Sequence, residues 1–176
     1  MTEKEYYSAE NGAERIINMK FMLAMIAVKD IEVSKKFYMD LFDQTVDLDL
    51  GWNVTMSGGF ALQQNFGWLT GLPEDSILNK SNNMELYFEV DDFDEFLEKL
   101  KNYNNVNYVH EAKTHDWKQR VVRIYDPDYH IIEVGEAMNA IAKRYLKNGY
   151  SIEEAAKEIQ FPVEVVSKWA EEMSSN

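Results

Sequence analysis

The sequence predicts an α+β fold made of two copies of a β-α-β-β-β unit, followed by a C-terminal helical appendage. Three observations carry that expectation. An apolar run of strand length at 21–28 leads into Asp30 and a helical pattern. A second run at 84–90 leads into Asp92 and another helical pattern. The two are offset by 62 residues throughout, which aligns Val28 with Val90, Asp30 with Asp92 and Ile31 with Phe93.

Each element has a local reason. Asp30 is placed to cap a helix in which Val33, Phe37, Tyr38 and Leu41 recur at helical spacing. In the second copy Asp92 precedes Glu95 by three residues, the pattern of a capping box. Phe93, Phe96, Leu97 and Leu100 then form the buried stripe. Short strands are predicted after each helix, at 45–50, 52–57 and 60–66 in the first unit and at 106–112, 119–125 and 131–135 in the second. Gly51, the trio Ser57, Gly58 and Gly59, and the stretch Asp126, Pro127 and Asp128 supply the turns. A polar linker rich in turn formers runs over 69–83, so the units span 20–66 and 84–137, within one domain at 20–137. Residues 1–19 read as a flexible arm. In 138–176 a helix at 138–148 stops at Gly149. Ser151 caps a second with Glu154 at its third position, Phe161 and Pro162 break the chain, and Val165, Val166 and Trp169 mark a third. The result is a helical hairpin of helix-turn-helix type.

Composition narrows the function. The 176 residues carry 31 acids against 18 bases, a net charge of −13, which works against holding nucleic acid by its phosphates. Residues 20–137 hold 21 of the acids and 11 of the bases. The last helix offers Glu164, Glu171 and Glu172 against Lys168, a poor recognition helix, so a packing role is expected of it. There is no cysteine, hence no disulfide, thiolate metal site or Cys nucleophile. No apolar stretch is long enough to span a membrane, and the N-terminus lacks the features of a signal peptide; a cytoplasmic protein is expected.

The pattern of Val28, Asp30, Ser34, Phe37, Tyr38, Leu41 and Phe42 resembles the first unit of the vicinal oxygen chelate superfamily, which includes glyoxalase I, extradiol dioxygenases, fosfomycin-modifying enzymes and bleomycin-resistance proteins. The stretch from Tyr125 through Asp126, Pro127, Asp128, Tyr129 and His130 to Glu133 resembles its closing hairpin, with Tyr129 where glycine is common. The resemblance covers 20–137 and implies a cup-shaped mixed sheet with the helices outside. It leaves the chemistry open, because this fold hosts many reactions.

Strand alternation sorts the side chains. Glu85, Tyr87 and Glu89 fall opposite the apolar Leu86, Phe88 and Val90, and so face the cup. Val121, Arg123 and Tyr125 join them from the next strand and Ile131 and Glu133 from the last. Ala61, Gln63 and Asn65 point inward in the first unit, with Leu23, Met25 and Ala27 beside them. Trp52, Trp68 and Trp117 lie on nearby loops, where exposed indoles suit stacking on a planar or cationic ligand. Metal-using relatives place ligands at positions that here are Leu23, Gln63, Glu85 and Glu133. Leu23 cannot bind a metal, and no His takes its part. If a metal binds, Gln63, Glu85 and Glu133 are the candidates, for a hard ion such as Mg²⁺ or Mn²⁺. Alternatively Glu85 or Glu133 pairs with Arg123 and stabilises a polar pocket without metal. His110 and His115 are expected in solvent, and His130 away from the face of Glu133.

The leading expectation is therefore a metal-independent small-molecule binding protein of bleomycin-resistance type, without cofactor. It would sequester an organic, cationic ligand among Trp52, Gln63, Asn65, Trp68, Glu85, Tyr87, Glu89, Trp117, Arg123, Tyr125 and Glu133. The alternative is a glyoxalase-type lyase, isomerase or transferase with Glu133 and Glu85 as catalytic residues. A ligand-responsive regulator is the third. The resemblance further implies a homodimer, and the charge and the short apolar stretches lead us to expect no nucleic-acid or membrane partner.

Overall fold

The structure is a computed structural model that describes residues 19–174; of the arm expected at 1–19, residues 1–18 lie outside them, as do residues 175–176 of the appendage. Both units fold as expected. In the first, β1 (Ala24–Val28) leads into α1 (Ile31–Phe42), and β2 (Val46–Asp49), β3 (Asn53–Met56) and β4 (Phe60–Gln64) complete a sheet of order β1-β4-β3-β2. In the second, β5 (Glu85–Val90), α3 (Phe93–Asn102), β6 (Asn107–Thr114), β7 (Arg120–Tyr125) and β8 (Ile131–Glu136) repeat it as β5-β8-β7-β6. The first strand of each unit runs parallel to the last, and the other pairings are antiparallel. Between the units lie a short α2 (Phe66–Thr70), a 3₁₀ turn at Glu74–Ser76 and the linker. The appendage forms α4 (Met138–Lys147), α5 (Ile152–Ile159) and α6 (Val163–Ser174). Among the described residues no helix is long and apolar enough to cross a membrane.

The caps act as the sequence suggests. Asp30 accepts from the backbone N–H groups of Glu32 and Val33, Asp92 from that of Glu95, and Ser151 with Glu154 closes a full capping box. Two expectations fail in detail. Val33 is exposed and Ser34 is buried in its place, because Ser34 donates to Asp128 across the unit boundary at 3.2 Å. The strand expected over 60–66 ends at Gln64, where the amide Oε1 caps the start of α1 by accepting from Ile31 N at 3.0 Å. Asn65 then turns left-handed, at φ +55°, to start α2, so it leaves the strand.

One apolar core joins the helix-facing sides of both sheets. Phe42 from α1 lies 4.7 Å from Phe88 of β5 between ring centroids, and Phe60 meets the same ring at 6.4 Å. The turn between β7 and β8 ties the units with polar contacts. Asp126, fully buried, accepts from Tyr38 Oη at 2.8 Å, from the backbone of Asp128 and His130, and from His130 Nδ1 at 2.8 Å. Asp128 reaches back to accept from Lys29 N. Tyr129 takes a left-handed φ of +67°, a conformation that is costly for a residue with a side chain. A second cluster joins α4, α5 and α6. It is fixed to β8 by Glu136, a buried carboxylate gripped by Arg120 and Arg144. Burial pushes Glu136 up, but the two guanidinium groups outweigh it and hold its pKa below the ordinary range.

Candidate functional site

Register places the candidate residues in rows on the helix-free face of the second sheet. Tyr87 pairs with Glu133 and Glu133 with Arg123; Glu85 pairs with Ile131 and Ile131 with Tyr125; Glu89 pairs with Gly135 and Gly135 with Val121. Leu86, Phe88 and Val90 go to the core, as alternation requires.

At the centre is Arg123. Its Nε donates to Glu85 at 2.9 Å, and its Nη2 pairs with Glu133, whose side chain is only 8% exposed. Its Nη1 donates to His110 Nε2 at 3.3 Å. A guanidinium has no acceptor, so that ring nitrogen carries the lone pair, and Nδ1–H donates to the carbonyl of Glu111 at 2.8 Å. One cation thus gathers both carboxylates and an imidazole. His110, expected in solvent, belongs to this site.

A hydrogen-bonded chain runs beside it. Tyr87 Oη donates to Glu89 at 2.7 Å and accepts from Gln119 Nε2 at 2.7 Å. The same Nε2 donates to the carbonyl of Glu136, and Gln119 Oε1 accepts from the indole of Trp117 at 3.0 Å. Partial burial first, and the Glu89 bond next, push the Tyr87 phenol up to about 12. The chain depends on Gly135, where a Cβ would lie 2.6 Å from Gln119 Nε2 and 3.1 Å from Tyr87 Oη.

The first sheet offers a different surface. Met25, Ala61, Thr55 and Leu48 share one row of its helix-free face, and Ala27, Gln63 and Asn53 the next. Gln63 is buried, with Oε1 accepting from Asn53 at 2.8 Å and Nε2 donating to the carbonyl of Gln64. Trp52 and Trp68 meet edge to face at 5.8 Å and are 52% and 70% exposed. Trp117 does not join them. Its ring packs on the cluster of α4–α6 and stacks on His115 at 4.1 Å, because those helices bury the apolar surface expected to be open there.

The ligand set that a divalent ion would need does not fit these residues. The guanidinium of Arg123 takes both Glu85 and Glu133, and the amide oxygen of Gln63 is already an acceptor. Among the described residues no group of three or more His, Asp or Glu is arranged to hold a metal. A groove of about 660 Å³ opens elsewhere, on the helix side near Phe42, Phe88 and Phe96.

Sequence reasoning missed Gln119, Gly135 and His110. Gln119 had a signal, since alternation puts it on the same face as Val121, Arg123 and Tyr125. His110 had none, because irregular pairing between β6 and β7 sets its register.

A glyoxalase-like domain model matches residues 21–139, so nearly all of α4–α6 lies beyond it. A protein of unknown function from Agrobacterium tumefaciens is 34% identical over 70% of this chain and 98% of that chain, with a TM-score of 0.59. A glyoxalase/bleomycin resistance protein/dioxygenase family enzyme from Burkholderia phytofirmans is 14% identical over 65% and 96%, at 0.57. The fosfomycin resistance protein FosX from Listeria monocytogenes is 17% identical over 69% and 95%, at 0.53. At those last two identities the likeness is one of fold. No curated protein matches.

Proposed function

This chain belongs to the glyoxalase-like domain family, and from that premise we propose that it is a metal-independent small-molecule binding protein, cytoplasmic, that holds an organic cation in the cup between its two sheets. The observation that carries the reading is Arg123 between Glu85 and Glu133. In this frame a metal-using relative would present free carboxylates; here both are spent on a fixed guanidinium. The second sheet keeps a polar wall with an acidic excess, three carboxylates against one Arg, and the first sheet offers exposed indoles at Trp52 and Trp68. Such a pairing recognises a cation with a flat apolar body. A resistance role by sequestration, as the name of one relative suggests, would follow from binding alone.

We also propose a homodimer. Phe21 and Met22 beside edge strand β1, and Met25 and Leu48 in one row of the helix-free face of the first sheet, are exposed apolar side chains. A second copy would cover them and deepen the cup.

The test is a thermal-shift panel of aromatic cations, anions and neutral analogues, each run with and without EDTA. A ligand at a hundred times its dissociation constant adds about 2.7 kcal/mol, a shift of several degrees for a chain of this size. Cations are expected to stabilise equally with and without chelator, and Trp68→Ala to abolish the shift. Selective stabilisation by anions, or loss of the effect in EDTA, would overturn the reading.

A further inference from the structure

Residues 71–84 cross from α2 to β5 as an exposed strap. Two of its non-glycine residues are left-handed, Lys80 at φ +56° and Asn82 at φ +55°. That backbone is disfavoured and persists where contacts hold it. Both contacts converge on Tyr125. Its Oη donates to Asn82 Oδ1 at 2.9 Å, and Lys80 Nζ lies 4.9 Å from its ring centroid. The same ammonium is 5.7 Å from the ring of Tyr129. The two rings meet edge to face at 5.7 Å, with 62° between their planes. Tyr129 is itself left-handed, and the Asp126 carboxylate that binds the N–H groups on either side of it fixes that turn. Three residues in a disfavoured conformation therefore bring one ammonium onto two rings. In a chain with 31 acids, no carboxylate among the described residues pairs with Lys80.

We propose that the Tyr125–Tyr129 pair is a receptor for an organic ammonium ion, and that Lys80 is its tethered occupant, displaced when an external ligand binds. The inference rests on the cation-binding reading above and deepens it, naming the ligand class as quaternary or tertiary ammonium compounds. A primary ammonium is strongly hydrated, whereas a methylated one gives up less on leaving water and sits better on ring faces. Tyr125 lies on the same sheet face as Glu85, with Ile131 between them in the register, so a cation that takes the place of Lys80 enters beside the acidic wall. Its release would also free the strap to relax its two left-handed residues.

The test is an NMR titration of the full chain with tetramethylammonium chloride, against sodium chloride at matched ionic strength. Lys80→Gln removes the competitor and is expected to tighten binding about three- to six-fold, the occupancy that an exposed cation–π contact confers. Lys80→Arg keeps a competing cation and is expected not to tighten it. Tyr129→Leu is expected to weaken binding. Lys147→Gln, with the same charge change on α4, controls for the overall field. The proposal falls if Lys80→Gln leaves the affinity unchanged, if Lys147→Gln reproduces its effect, or if neither wild type nor Lys80→Gln binds saturably. Binding that responds to Trp68→Ala but not to Lys80 or Tyr129 would overturn this inference and leave the cup reading standing. Binding that responds to none of them would overturn both.

Discussion

Removing Arg123 isolates the interaction on which the site is built. In Arg123→Met the aliphatic bulk stays and the charge goes. Glu133, with its side chain 8% exposed, then keeps a buried carboxylate without a counter-ion, whereas Glu85, 39% exposed, can turn to water. Breaking a buried pair by removing one partner costs about 3–5 kcal/mol, and an exposed pair contributes about 0–1 kcal/mol. Because Arg123 is itself 21% exposed, the lower end applies, about 3 kcal/mol. That corresponds to a fall of roughly 6–12 °C in Tm for a chain of this size. Urea unfolding at pH 7 of wild type, Arg123→Met, Glu133→Gln and the double variant closes the cycle. The double variant is expected to recover about 2 kcal/mol relative to Arg123→Met, since an amide tolerates burial better than a lone carboxylate. Mn²⁺ is expected to stabilise Arg123→Met and leave wild type unchanged. An Arg123→Met variant within about 0.5 kcal/mol of wild type, or a double variant no better than the single, would refute the reasoning.

Three further outcomes are expected. Burial lowers the pKa of His130, but its bond to Asp126 and the charges of Asp126 and Asp128 reverse this and raise it. The protonated ring therefore stabilises the fold below the unfolded pKa of about 6.5, and that contribution fades as pH rises through the higher folded value. Stability measured from pH 5.5 to 8.5 should decline across this window in wild type and flatten in His130→Gln; equal slopes would contradict the tie. Gly135→Ala puts a methyl where Gln119 Nε2 sits and should cost about 1–3 kcal/mol by breaking its bonds to Tyr87 and Glu136. An ultraviolet titration should follow it, with the Tyr87 phenol moving further up from about 12, because the bond from Gln119 is the contact that lowers it. Ser151→Ala removes half of a capping box and should cost about 1 kcal/mol in chemical unfolding, with the near-ultraviolet signal of the cup unchanged.

Much of this architecture was legible because it rests on local chemistry. The repeat announced itself through Asp30 and Asp92, each capping a helix after a strand, and alternation alone sorted Glu85, Tyr87 and Glu89 from Leu86, Phe88 and Val90. Gly149, with φ +90°, stops α4 where a helix needs a residue without a side chain. What escaped is what depends on partners distant in sequence. Ser34 and Val33 exchange burial because Asp128, 94 residues on, needs a donor. Trp117 looked solvated since nothing near it in sequence could cover it; the cover comes from α4–α6. Alternation named Arg123 as a partner for Glu85 or Glu133, and only the register of β5, β7 and β8 makes it the partner of both.

The most direct test of the central claim is native mass spectrometry of the protein as purified, with neither metal nor chelator added. The account calls for chains free of any stoichiometric divalent ion, bare or carrying an organic mass, and for a dimer. One divalent ion per chain, lost on Glu133→Gln, would contradict it and would turn Glu85 and Glu133 into metal ligands.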